Sequence, residues 1–184
     1  MYYQLKSFRQ DSYDRKSAVN YAVKYSLTPN SQYRYFPLMK DTSGDCANFI
    51  SQCLKAGGAL MSHNPQSPWW YDNHGTLNQK DDTWSISWTV AHSLYWYLKV
   101  NKSVSTGALR GLEVNDLDNL ELGDVIFYEN YNGVIFHSAI ITSFINVNGI
   151  TEPLISQHSY EGLNIRYKKV YPYKMVHFLK ISII

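Results

Sequence analysis

The stretch GDCANFISQC, Gly44 to Cys53, holds both cysteines of a 184-residue chain. Cys46 follows an acidic residue at the point where an apolar-periodic segment begins. In the first turn of a helix, unpaired backbone N–H groups and the positive dipole end favour a thiolate. The same amides can hold a developing oxyanion. A nucleophile gains from that position, whereas a structural cysteine is a small buried hydrophobe with no need of it. Position alone leaves both readings of Cys46 open. Cys53, two turns further on, shares an apolar face with Phe49, Ile50 and Leu54 and reads as core. The charge of Asp45 opposes ionisation of a neighbouring thiol, so capping the helix is its simplest role.

A thiolate nucleophile needs a base, normally a histidine brought close by the fold. Six histidines are available. His63 and His74 fall in a long loop, His92 falls inside a helix, and His177 reads as structural in the terminal strand. His137 opens the run HSAIITSFI, and a rigid strand is a good mount for a general base. The following run, LISQHS, carries His158 and Gln157. Side chains alternate along a strand, so only one of the two can point at His137, and His158 is the first expectation. No HExxH or CxxC occurs, so no metal and no cofactor is expected. No GxSxG elbow supports a serine hydrolase.

The elements that must position these groups fall in two blocks. Ala18, Tyr21, Ala22 and Tyr25 predict a helix over Asp11 to Leu27, capped by Asp11 or Ser12. A second helix starts at Cys46 and stops at Gly57-Gly58. The polar, aromatic stretch SHNPQSPWWYDNHGTLNQKDDT reads as loop. Trp88, Ala91, Leu94, Tyr95 and Leu98 predict a third helix over Trp84 to Val100, with Ser87 as its cap. Then GDVIFYEN, VIFHSAIITSFI, EPLISQHS and KMVHFLKISII read as strands. Asn132-Gly133 and Asn148-Gly149 serve as turns. Helices first and antiparallel strands after give an α+β chain, with N-terminal helices packed on an antiparallel sheet. One domain is expected over 1–184.

Composition narrows the partners. The chain is 45% hydrophobic and 17% charged, with a net charge of +2 and no basic block, so nucleic acid is not expected. Sixteen Tyr and five Trp fit either an aromatic-rich core or a groove for a sugar or peptide. On one helix Cys46 and Cys53 stand roughly 10 Å apart, beyond the reach of about 7 Å that a disulfide allows. No apolar run is long enough to span a membrane. The start, MYYQLKSFRQDSYDRK, lacks a signal-peptide core. The chain is then either cytoplasmic or a mature domain from a longer secreted protein.

The ordered set YDRKSAVNYAVKYSLTPN, YRYF, GDCANFISQCLKAGG, the Trp-rich loop, GDVIFY, FHSAIIT and LISQHS resembles the putative amidase domain family. That family is a relative of the papain-like NlpC/P60 and CHAP cell-wall hydrolases. The resemblance implies a papain-like fold, with Cys46 as nucleophile, His137 as base and His158, or secondly Gln157, as the orienting residue. Asp45 matches the acidic position before the nucleophile. The implied activity is hydrolysis of an amide in peptidoglycan or a muropeptide by a monomer, in the cell wall as part of a secreted chain. Trp69, Trp70, Tyr71 and Trp84 would line the substrate groove, the alternative being that they pack the loop onto the body, with Asp45 also at the substrate. The segment PLMKDTSG lacks the upstream Gln of papain-type enzymes, which leaves Tyr33 or Tyr35 as second oxyanion donor. The alternatives are a silent cell-wall-binding module on the same fold, with a spent active site and an aromatic groove, and acyl transfer with the same residues in place of hydrolysis.

Overall fold

In the computed structural model, residues 12–39, 44–100, 108–169 and 172–183 are described. Helix α1 spans Arg15–Tyr25. Its cap is Asp14, whose carboxylate accepts the Ser17 N–H at 3.0 Å. Asp11 lies outside the described residues, and Ser12 instead donates its backbone N–H to the Ile183 carbonyl at the end of the sheet. Ala18 and Ala22 are fully buried, as their helical spacing predicts. Helix α2, Cys46–Ala56, begins at the cysteine, and every residue from Cys46 to Leu54 is buried. It is the central helix of the molecule. Gly58, at φ +95°, turns the chain away after it, a conformation that glycine adopts without steric cost.

The loop after α2 carries a two-stranded ribbon, β1 (Tyr71–Asp72) paired with β2 (Thr83–Trp84). The expected third helix is two helices, α3 (Ile86–Thr89) and α4 (Ala91–Val100). Val90 breaks it with extended dihedrals, and the residue before α3 is Ser85 rather than the expected Ser87. A β-branched Thr89-Val90 pair is poorly suited to a helix interior. Trp84 accordingly falls in the ribbon.

The six-stranded sheet is antiparallel throughout, in the order β3-β8-β4-β5-β6-β7. Its strands are β3 (Leu109–Val114), β4 (Val125–Glu129), β5 (Ile135–Val147), β6 (Ile150–Gln157), β7 (Gly162–Arg166) and β8 (Met175–Ile183). Asn148 and Gly149, both at positive φ, form the tight turn that pairs Val147 with Ile150. Strands β3 and β7 were not among the expected runs. They lie at the two sheet edges, and much of their surface is exposed.

Alternation along the strands separates two layers. Val125, Phe127, Ile140, Leu179 and Ile181 pack against Phe49, Ile50, Leu54, Trp88, Leu94 and Leu98 of the helices. Ile126, Tyr128, Ala139, Ile141 and Ile155 form a smaller cluster on the other face. No helix among the described residues is long and apolar enough to cross a membrane.

Candidate active site

The start of α2 is built from Asp45. Its side chain makes no capping bond to the helix. Instead Oδ1 accepts the Phe36 N–H at 3.0 Å and the Asn48 amide at 2.8 Å. Oδ2 lies 2.5 Å from His158 Nδ1. His158 Nε2 donates to the Tyr25 carbonyl at 2.7 Å, and its ring stacks on Phe49 at 4.1 Å. Asp45 N–H donates to Ser159 Oγ at 2.6 Å. Asp45 and His158 are each 1% exposed. They form a buried acid–imidazole pair that ties the end of β6 and the end of α1 to the residue before Cys46. Asp45, expected at the substrate, faces inward, buried and with both carboxylate oxygens engaged by protein groups.

His158 is therefore not the partner of His137. That place belongs to Gln157, whose Oε1 lies 2.8 Å from His137 Nε2. Gln157 Nε2 donates to the Tyr160 carbonyl at 2.8 Å, and this fixes which end of the amide faces the ring. Since Oε1 can only accept, His137 Nε2 carries the proton and the neutral ring keeps its lone pair on Nδ1. Ser159 and Tyr160, which follow in the turn, both have positive φ. Such backbone costs about 1–3 kcal/mol per residue and concentrates at functional sites.

The ladder explains how the thiol reaches this strand. Ile141 N–H donates to the Asp124 carbonyl, on the β4 side of β5. Backbone groups alternate between the two sides of a strand, so those of Ile140 and Ser138 point towards β6. Ile140 pairs there with Ser156, the last pair between the two strands. Beyond it Gln157 pairs with Gly162 of β7, and His158 crosses to Asp45. The Cys46 thiol lies against the backbone and side chain of Ser138. Ser138 is the residue next to His137.

Burial sets the electrostatics. It raises the Cys46 pKa, Ser138 acts to lower it, and Asp45 adds to the rise. Burial also lowers the His137 pKa to about 4, against the opposing bond to Gln157. At neutral pH Cys46 is thus a thiol and His137 a neutral imidazole.

The aromatic candidates divide. Trp69 is fully buried, with its indole N–H on Ser51 Oγ at 3.0 Å. It is core and has no surface for a ligand. Trp70 is half-buried against His63, with ring centroids 5.3 Å apart. Tyr71 is buried, and its hydroxyl accepts the Arg34 N–H. Trp84 is half-buried, 4.9 Å from the Phe36 ring and under the Arg34 guanidinium. Phe36 donates its backbone N–H to Asp45, so Trp84 is linked through Phe36 to the start of α2. The Tyr35 hydroxyl donates to Glu161 at 2.8 Å, while Tyr33 meets Lys55 in the last turn of α2. A polar cavity of about 460 Å³, lined by Tyr33, Lys55, His63 and Tyr71 among others, also lies at that far end. Cys46 and Cys53 are both free. No cluster of three His, Cys, Asp or Glu side chains that could hold a metal occurs among the described residues.

Comparison with known proteins names the class. The putative amidase domain family matches residues 12–179. The chain belongs to that family. The chain is 38% identical over 157 residues to YhbB, an uncharacterized protein of Bacillus subtilis (strain 168), covering 84% of this chain and 44% of that protein. It is 30% identical over 162 residues to YjcM, also uncharacterized and from the same organism, covering 83% of this chain and 32% of that protein. The chain thus spans less than half the length of either relative. No solved structure matches it.

Proposed function

We propose that the chain is a cysteine-dependent amide hydrolase whose nucleophile is Cys46, whose base is His137 and whose orienting residue is Gln157. The observation that carries this reading is the fixed amide of Gln157 on His137 Nε2. It holds the ring in the tautomer that accepts a proton at Nδ1. The proposal includes a papain-like plan of the NlpC/P60 and CHAP kind, for which the helix start at Cys46, the strand carrying His137 and the Gln157 amide are the support.

In the first half-reaction the thiol proton passes to His137 Nδ1 as Cys46 Sγ attacks the amide carbonyl. Backbone N–H groups at the start of α2 hold the oxyanion. The imidazolium then protonates the leaving amine, and a thioester remains on Cys46. In the second, His137 takes a proton from water, which attacks the thioester and frees the acid and the thiol. The substrate we favour is a peptidoglycan stem peptide, or the lactyl amide joining it to glycan, so the chain would work in the cell wall. Trp84 and Trp70 offer aromatic surface for it.

Incubation of the purified protein with muropeptides, followed by mass spectrometry, tests the reading. New termini in wild type, absent with Cys46→Ala, support it. Binding without cleavage by both proteins would favour the wall-binding module.

A further inference from the structure

Ser138 is fully buried on the helix-facing side of β5, and its Oγ has no conventional hydrogen-bond partner. A buried hydroxyl in that state calls for a reason, since nearly all such groups are paired. Its polar neighbour is the Cys46 thiol, which also meets the Ser138 backbone. A neutral thiol is a poor partner for a hydroxyl, whereas a thiolate is a strong acceptor. The hydroxyl is thus poorly used in the resting state and well used once sulfur has lost its proton.

We infer that Ser138 is a positioning residue for the nucleophile: its Oγ–H and backbone N–H hold the Cys46 thiolate. The inference rests on the nucleophilic reading of Cys46. As the thiol proton moves to His137 Nδ1, the Ser138 hydroxyl keeps its own proton and turns it towards Sγ. No other bond forms or breaks. The Ala47 N–H, in the first turn of α2, is the third donor on sulfur. These donors act against the burial and the Asp45 charge that oppose ionisation, and burial still leaves the thiol raised. The ionisable group that acts on the thiol is Asp45 at the helix start; its carboxylate engages His158 Nδ1, and His137 adjoins Ser138 on β5.

The test is the pH dependence of iodoacetamide alkylation at Cys46, read by peptide mass in Ser138→Ala, Ser138→Thr and Ser138→Val. Thr and Val differ in the hydroxyl at nearly equal size, which separates hydrogen bonding from packing. Losing a hydrogen bond to a charged group shifts the midpoint upward by about one pH unit. The expected result is that shift in the Ala and Val proteins and a near wild-type midpoint in Thr. Equal midpoints in Thr and Val would overturn the role of Ser138. His137→Ala run alongside keeps the two claims apart. If it alters alkylation while the Ser138 series does not, only this inference fails; if it too has no effect, the nucleophile reading fails first.

Discussion

At His137, burial and the bond to Gln157 act on one ring. The folded pKa of about 4 against about 6.5 in an unfolded chain means the unfolded state binds the extra proton first. Between those values stability therefore falls as pH falls, by up to about 3 kcal/mol for this residue. Urea unfolding at pH 7, 5 and 4 measures it, and His137→Gln should lose much of the slope. The proposed general-base role needs the neutral ring, so the acid limb of kcat/KM should sit near pH 4 rather than 6.5. A limb at 6.5 would mean the ring is solvated. Gln157→Ala leaves the ring unheld and should lower kcat about a hundredfold, with a smaller change in KM.

The elements hold Cys46 through Asp45 and His158 rather than through a helix cap. Asp45→Ala strips His158 of its acid partner in a dry site, at a cost of about 3 kcal/mol, readable as a lower urea midpoint. The start of α2 was legible from GDCANFISQC, because dipole, apolar spacing and the Gly57-Gly58 stop are local signals. Strands β4, β5, β6 and β8 were legible as apolar runs between turns. Edge strands β3 and β7 were not: LRGLEV and GLNIR mix charge and glycine with half-exposed positions, and only their neighbours make them strands. The choice between Gln157 and His158 had a structural reason to fail. Alternation says that one of the two faces His137, but irregularities near Ser143 and between Ile155 and Gln157 reset which one. Nothing local announces them. Trp69 misled for a similar reason, since its Ser51 contact depends on how the loop folds back.

On the scale of the whole molecule, α1 is fastened to the sheet by one buried carboxylate. Asp124 is fully buried and meets Arg15 at 2.6 Å, the Ile181 N–H at 2.9 Å and the Glu121 N–H at 2.9 Å. Burial raises its pKa despite Arg15. Arg15→Ala leaves that charge without its cation and should cost about 3 kcal/mol. The loss should appear as a lower unfolding midpoint with the pH dependence of activity unchanged. Because α1 also supplies the Tyr25 carbonyl to His158, this staple reaches the Asp45–His158 pair at the start of α2.

The measurement closest to the central claim is the alkylation rate of Cys46 at neutral pH in wild type, His137→Ala and Gln157→Ala, with Cys53 as internal control. We expect Cys46 labelling in wild type, a loss of about a hundredfold in His137→Ala, an intermediate loss in Gln157→Ala, and no labelling of buried Cys53. Equal rates in all three proteins would contradict the account and leave Cys46 a structural thiol.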